Sequence, residues 1–363
     1  MNKIRLAATM LALSASASAL AQSGLTLYGN IDASVITATG IGPAGERRTN
    51  FGEGNWAASV WGVKGTEDLG GGMRAHLNLE GGFNAGNGAI ANGGTTGIFS
   101  RAANIGLSGS LGLLTAGLNL SPFIAAYTST LGLAGNNFYV PALLLHRSGT
   151  VLNNGLPVSV AGGGADADPG LSSTGGFFIP NSVTYSLPSD ALKGVTGSIM
   201  YAFGGVAGDS NTNRFLSGNA GYSYGDWNFL VAASDRDSQY RQYLAGATVP
   251  VGPAKLAANY VHFSPETGSN SNTVVVGAAM KVMPNTDVGI NYARNSGPSH
   301  PAIINLSAVY SLSKSTNFYA AFNHATDGAA SSYSGAVDAS TSPLTLAQTG
   351  TSNAFIFGLQ KGF

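Results

Sequence analysis

Apolar and polar residues alternate with a period of two over many short stretches of this 363-residue chain. The stretch MRAHLNLEGGF, which begins at Met73, places apolar side chains at odd positions and polar or charged ones at even positions. LTLYGNIDASV, from Leu25, and INLSAVYSL, which ends at Leu312, repeat the pattern. Because successive side chains of a strand point to opposite faces, each segment is predicted to be a strand with one apolar and one polar face.

About sixteen such segments follow one another, and most have the roughly 9 to 11 residues of a tilted membrane strand. They lie near residues 25–37, 55–66, 71–83, 98–109, 112–119, 181–188, 194–204, 213–224, 227–235, 239–250, 254–263, 272–282, 286–294, 303–312, 316–325 and 352–363. Short turns follow the even-numbered segments. Long or polar connections mostly follow the odd-numbered ones, at 38–54, 84–97, 120–180, 264–271, 295–302 and 326–351. We therefore predict an all-β fold, a transmembrane antiparallel up-and-down β-barrel of about sixteen strands.

The chain ends in FIFGLQKGF, whose apolar residues lie at odd positions: Phe355, Phe357, Leu359 and Phe363. In a bilayer each unsatisfied backbone group costs several kcal/mol, so the last strand of a barrel must pair with the first. We predict that this strand closes the barrel. Its odd positions then face lipid and its even positions face inward.

The low content of charged residues and the N-terminal segment indicate where in the cell the protein is located. Only 9% of the residues are charged, against about 25% in an average soluble protein, so a surface wholly exposed to water would be unusual. Acidic and basic residues balance at 17 each, which gives no basic footprint for nucleic acid. Residues 1–21 combine basic residues, a short apolar run and a small-residue cleavage site, which predicts a secretory signal peptide. The barrel is then residues 22–363.

The odd or even position of a residue in its strand, which we call its parity, also identifies candidate residues of the barrel interior. If the apolar positions face lipid, these residues are predicted to line a pore: Asp32, Lys64, Arg74, His76, Asn78 and Glu80. The alternative for any one of them is a solvated wall position above or below the narrowest part of the lumen. The parity of Arg101 leaves two alternatives, the outer rim or an inward orientation produced by a bulge.

The sequence offers little for catalysis. The five histidines have no metal-ligand spacing and there is no cysteine. The glycine runs lack the lysine and helix of a phosphate-binding loop. We therefore predict no enzyme activity and no cofactor or metal. A secreted or surface-exposed β-rich adhesin without a pore is the alternative function, since it would share the signal peptide and the strands.

Several stretches together resemble the general porins of beta-proteobacterial outer membranes. They are AQSGLTLYGNIDASV, WGVKGTEDLGGGMRAHLNLEGGF, SRAANIGLSGSLGLLTAG, NSVTYSLPSDALKGVTGSIMYAFG, LSKSTNFYAAFNHA and FGLQKGF. The resemblance implies a homotrimeric sixteen-stranded channel in the outer membrane, through which small hydrophilic solutes and ions diffuse passively. It also implies that the third outer loop, 120–180, folds into the lumen. The barrel assembly machinery is expected to recognise Phe363.

The sequence departs from this family where charge selectivity is expected to arise. The family has an arginine in the strand before the inward loop, and this chain has Gly117-Leu118-Asn119. The loop itself contributes few charged or titratable candidates for the constriction: His146, Arg147, Asp166 and Asp168. We therefore expect a less charged constriction than is typical of the family.

Overall fold

A computed structural model describes most of the chain. The described residues are 24–41, 45–90, 97–131, 152–153, 156–157, 177–188, 192–266, 269–296, 300, 302–326 and 351–363. The predicted signal peptide lies outside them and stays a prediction.

Strands make up almost all of the described chain, with one helix. The elements are β1 (Gly24–Ile41), β2 (Glu46–Glu53), β3 (Val60–Gly70), β4 (Met73–Gly82), β5 (Ala102–Gly109), β6 (Gly112–Leu120), α1 (Pro122–Leu131), β7 (Leu152–Asn153), β8 (Leu156–Pro157), β9 (Phe178–Ser186), β10 (Val195–Ala202), β11 (Phe215–Tyr224), β12 (Trp227–Arg236), β13 (Tyr240–Val251), β14 (Ala254–Pro265), β15 (Ser271–Met283), β16 (Thr286–Asn295), β17 (Ala302–Ser313), β18 (Thr316–Thr326) and β19 (Ser352–Gly362).

All strands except the short β7–β8 hairpin belong to one closed antiparallel sheet. β19 pairs with β18 on one side and with β1 on the other, from Asn30 opposite Gly362 to Thr39 opposite Asn353. The sheet has 17 strands. β2 and β3 both pair with β1, one after the other along its length, so they share one position in the wall. The wall therefore has sixteen strand positions, which confirms the predicted barrel and its closure by the terminal strand.

Tight turns join the strands at one end of the barrel, which we call the short-turn end. Two residues connect β3 to β4, β5 to β6, β11 to β12, β13 to β14, β15 to β16 and β17 to β18. In the first of these, Gly71 and Gly72 have φ angles of 62° and 81°. Positive φ at both central residues gives the turn whose twist matches the flanking strands, and glycine adopts it without steric cost.

Exposure separates the two faces of the wall as the alternation predicts. Outward side chains remain exposed, such as Leu25 at 69% and Phe357 at 62%. Their inward neighbours are buried, and many of them are small or polar, such as Ser34 and Gln360. In the described part of the chain, no helix is long and apolar enough to cross a membrane.

One predicted strand differs from the structure. The second segment was expected at 55–66 after a long connection at 38–54, but β1 continues to residue 41 and β2 already begins at Glu46. Residues 54–59 are not strand and leave the wall between β2 and β3. The reason is a set of hydrogen bonds to β1, among them two from the backbone of Trp56 and Ala57 to Asp32, which replace ladder pairing.

The helix α1 lies inside the barrel, at the start of the predicted inward loop. Pro122 opens it, a position where the missing N–H costs nothing. Phe123 and Tyr127, four residues apart and thus on one helix face, are fully buried against inner-wall residues such as Leu244 and Val261. The residues from 132 to 176 are described only at β7 and β8. The assignment of the whole range 120–180 as a constriction loop stays a prediction.

Candidate functional site

The ladder register fixes which way the predicted pore-lining residues point. Lys64 lies opposite Thr26 on β1 and opposite Asn78 on β4. Residues directly opposite each other in an antiparallel pair share a face of the sheet. Thr26 has the parity of the buried Ser34, so this is the inner face. The structure therefore places all six candidates on the inner face: Asp32, Lys64, Arg74, His76, Asn78 and Glu80.

Three of the six come together around a tyrosine that the sequence reasoning did not single out. The Lys64 ammonium lies 4.1 Å from the centroid of the Tyr28 ring. The Tyr28 hydroxyl donates to Glu80 Oε2 at 2.8 Å and to Asn78 Oδ1 at 3.1 Å. Arg101 Nε donates to the other Glu80 oxygen at 2.7 Å. We call these five residues the Tyr28 cluster, which places two cations and one carboxylate on a single stretch of inner wall.

A glycine allows Tyr28 to reach across to β4. Gly62 lies opposite both Tyr28 and Glu80, on the strand between them. A Cβ at residue 62 would lie 2.8 Å from the end of the Tyr28 ring, closer than real Cβ contacts. The absent side chain therefore lets the ring lie flat across β3. The sequence signal for Tyr28 was its even position in β1, which predicts an inward side chain.

Arg101 points inward, which decides between the two alternatives left open by its parity. Its backbone N–H donates to the Glu80 carbonyl at 3.0 Å, just before β5 begins. Its guanidinium carbon lies 4.7 Å from the centroid of the Phe178 ring. The side chain of Arg101 is 29% exposed and that of Glu80 is 19% exposed, so water screens this ion pair only in part.

Asp32 differs from the pore-lining role predicted for it. It is on the inner face, but no part of it is exposed. Its carboxylate accepts hydrogen bonds from the backbone of Trp56 and Ala57 and from the Tyr319 hydroxyl. A buried charge is tolerated when donors satisfy it, and the segment 54–59 supplies two of them. Asp32 therefore does not contact the aqueous lumen.

The remaining candidates are spread more widely. His76 Nε2 and the Ser108 hydroxyl are 2.7 Å apart on neighbouring strands. Arg74 is exposed, one residue from the turn at 71–72. The constriction candidates lie outside the described residues, so their roles stay predictions: His146, Arg147, Asp166 and Asp168.

The inner wall on β16, β17 and β18 is mostly neutral. Asn305 donates to Asn323 Oδ1 at 2.6 Å, and Asn291 donates to Asn305 Oδ1 at 3.5 Å, which gives a row of amides across β16, β17 and β18. Near it, Thr130 of α1 donates to Asn259 at 2.5 Å. Full burial raises the pKa of Tyr127 well above that of a free tyrosine, so this side of the helix stays neutral. Amides bind water and solutes without favouring either ion.

No constellation for metal catalysis occurs among the described residues, where no group of three or more histidine, aspartate or glutamate side chains could hold an ion. The arrangement consists of a closed barrel, an apolar exterior and a polar interior with a helix packed inside it. These are the features of a membrane channel wall.

Comparison with known protein families identifies the family to which this barrel belongs. The family model of Gram-negative porins matches residues 7–330. The chain belongs to the Gram-negative porin family. This porin is a pore-forming protein of the outer membrane and not an adhesin, and its family indicates a channel rather than an enzyme.

Individual relatives agree with this assignment. Outer membrane porin protein 32 of Delftia acidovorans is 28% identical over a 330-residue alignment that covers 85% of each chain. An outer membrane porin protein of Bordetella pertussis is 41% identical over a 125-residue alignment that covers 30% of each chain. Among solved structures, the anion-selective porin from Comamonas acidovorans superimposes with a TM-score of 0.71 at 24% identity, over 94% of this porin and 100% of that chain. The beta-proteobacterial resemblance seen in the sequence is thereby confirmed.

Proposed function

We propose that this porin conducts small hydrophilic solutes and ions passively, with a preference for anions. The observation that carries the preference is the balance of charge on the inner wall. Three inward carboxylates of the described strands are compensated: Asp32 is buried and accepts hydrogen bonds, Glu80 is ion-paired with Arg101, and Asp287 is ion-paired with Lys281 at 3.3 Å. Each is therefore compensated before a permeating ion reaches it.

Inward cations are less fully compensated. Within the described part of the chain, no carboxylate lies within ion-pair distance of Lys64, Arg74 or Lys255. Lys64 rests on the face of Tyr28, a contact that leaves its charge in place. A further inward carboxylate, Asp68, lies opposite Arg74 next to the short-turn end and accepts a hydrogen bond from the backbone of Gly70. The wall thus has an excess of positive charge that attracts anions.

One observation on a similar protein and one on this porin support the proposal. A solved structure with a similar fold, that of the porin from Comamonas acidovorans, is described as anion-selective. The weak charge of the rest of the interior fits a preference rather than strict selection, because the amide row and the buried face of α1 contribute no net charge. No cofactor or energy source takes part, and flux follows the solute gradient.

Reconstitution in a planar bilayer with a salt gradient tests both parts of the proposal. Step conductance reports the channel, and a reversal potential on the anion side reports the preference. In Lys64→Glu the reversal potential should move toward cations. The matched control is Arg294→Glu, the same charge change at an exposed residue opposite Val274 on the outer face. An anion preference that survives Lys64→Glu unchanged, or that changes equally in Arg294→Glu, contradicts the proposal.

We also propose that the mature chain, freed of residues 1–21, assembles as a homotrimer surrounded by outer-membrane lipid. A trimer form of OmpT from Vibrio cholerae has a similar fold, with a TM-score of 0.60 at 12% identity over 94% of this porin and 99% of that chain. The barrel assembly machinery is the proposed partner for Phe363. Crosslinking in native membranes should trap dimers and trimers, and a pattern of monomers alone would remove the trimer.

A further inference from the structure

Six residues of this porin leave the barrel wall and lie inside it. β1 pairs with β3 up to Asn30 and with β2 from Ala33 onward. Between these two ladders, residues 54–59 turn inward instead of pairing. We call residues 54–59 the ledge. It belongs to the second strand position of the barrel and is separate from the range 120–180.

Asp32 holds the centre of the ledge. One carboxylate oxygen accepts the backbone N–H groups of Trp56 and Ala57, both at 2.8 Å, and the other accepts the Tyr319 hydroxyl. The backbone N–H of Asp32, which has no strand partner on this side, donates to the Ser59 hydroxyl at 3.0 Å. The one residue therefore fixes both the middle and the end of the ledge.

The inward residues on either side of Asp32 bind the ledge as well. Asn30 donates from its side chain to the Ala58 carbonyl at 3.0 Å. Asn55 of the ledge donates to the Ser34 hydroxyl at 2.7 Å. The contacts run along β1 at positions 30, 32 and 34, so the ledge is attached over its whole length and cannot swing about one point.

Trp56 packs the ledge against a second part of the inner wall and stays partly exposed. Its ring stacks on Tyr319, with the ring centroids 6.1 Å apart and the planes at 25°. Tyr319 in turn lies against Gly358 of β19, where a Cβ would overlap its ring. Trp56, Ala57 and Ala58 all keep part of their surface exposed. The ledge thus covers Asp32 on one side and presents side chains to the interior on the other.

We propose that the ledge is a fixed narrowing of the aqueous path, and that Asp32 is the positioning residue that holds it there. The buried carboxylate acts on permeation through the shape of the lumen, because its own charge does not contact the solution. This proposal rests on the channel function but not on the anion preference, since pore width and ion preference are measured separately.

The first experiment measures pore width with neutral polymers. Step conductance of the full-length mature porin is recorded in planar bilayers with polyethylene glycols of increasing size, and the size that no longer enters the pore is found. Asp32→Ala should admit larger polymers and raise the conductance. The matched control is Asp287→Ala, which also removes an inward carboxylate but does not touch the ledge, so its polymer cut-off should equal that of the unmodified porin.

The outcomes separate width from charge. A cut-off in Asp32→Ala equal to that of the unmodified porin overturns the proposal, even if the reversal potential changes. A cut-off that rises equally in Asp287→Ala also overturns it, because a general effect of charge would then explain the result. If the unmodified porin gives no conductance steps, the channel function fails and the role of Asp32 fails with it.

A second variant keeps the test valid if Asp32→Ala does not insert. The chain contains no cysteine, so Trp56→Cys introduces a single thiol. Loss of the indole should raise the conductance, and labelling with a bulky aromatic methanethiosulfonate should lower it again. Thr196→Cys is the control, at an exposed inward position of β10 away from the ledge. Conductance that responds to neither the loss of Trp56 nor the label overturns the proposal.

Discussion

Phe363, the last residue of the chain, is joined to Gly29 by two reciprocal backbone hydrogen bonds. The backbone N–H of Gly29 donates to the Phe363 carbonyl at 3.1 Å, and the N–H of Phe363 donates back to the Gly29 carbonyl at 3.0 Å. A Cβ at residue 29 would overlap the Phe363 ring. The terminal residue therefore completes the seam between β19 and β1, and Gly29 provides the space for its ring.

Deleting Phe363 should lower the yield of folded barrel in the outer membrane while synthesis and export continue. Gly29→Val should also lower the yield of folded barrel, because the new side chain would displace the Phe363 ring and weaken the two backbone hydrogen bonds at the seam. The heat-modifiable band on a gel measures folded barrel. Gly24→Val is the matched control, since no atom lies within 4 Å of a Cβ at that position. Normal yields in both seam variants would contradict this prediction.

The orientation of β4 gives a second prediction. Leu77 lies opposite Ile105, which is 65% exposed on the outer face, whereas its neighbour Asn78 faces inward. Leu77→Arg should lower the free energy of unfolding by about 2 to 4 kcal/mol if the residue lies near the bilayer midplane. Asn78→Arg should cost much less, because its side chain meets water. Folding titrations in lipid vesicles measure both, and equal losses would contradict the assigned faces.

Strand number, closure and the two faces could be predicted because they depend on local alternation. In β19 the residues at 355 and 357 are exposed and those at 356 and 360 are buried, as the parity of the sequence requires. Such a pattern is set within the strand, since adjacent side chains must point to opposite faces. Because lipid covers the outer face and a polar lumen the inner one, the two faces differ in polarity, and the sequence shows this difference as an alternation of apolar and polar residues.

The ledge could not be predicted in this way. Trp56 and Ala58 lie two residues apart between the polar Asn55 and Ser59, so the sequence suggested a strand through 55–59. The competing contacts come from remote residues. Asp32 and its partner Tyr319 are 287 residues apart in the sequence, and no local pattern indicates that they meet. The same reason explains why Asp32 was predicted to line the pore: its position in the strand indicates the inner face but not the remote partners that bury it.

The ion pair of the Tyr28 cluster gives a third prediction. Glu80→Gln removes the carboxylate and leaves Arg101 without its counter-ion, so the reversal potential should move further toward anions. The change should shrink at high salt, because the Debye length falls from about 10 Å at 0.1 M to about 3 Å at 1 M. Bilayer recordings at both salt concentrations measure it.

Asp235→Asn is the control for Glu80→Gln. Asp235 also pairs with arginines, Arg214 at 3.4 Å and Arg241 at 3.8 Å. It lies on the outer face, however, opposite the exposed Leu216. Its removal should leave the reversal potential unchanged. A change of equal size in both variants would mean that the inner position of Glu80 has no special effect.

The packing of α1 gives the last prediction. Phe123 is fully buried between the helix and the inner wall, and its backbone N–H donates to the Ser217 hydroxyl at 3.1 Å. Phe123→Ala should weaken the attachment of α1 by about 3 to 5 kcal/mol, because a buried aromatic ring is lost and a cavity remains. The loosened helix should make single-channel current noisier while the barrel still inserts. Ser129→Ala, at an exposed position of the same helix, should leave the current as it was. If Phe123→Ala conducts as quietly as the unmodified porin, α1 does not border the path of the ions.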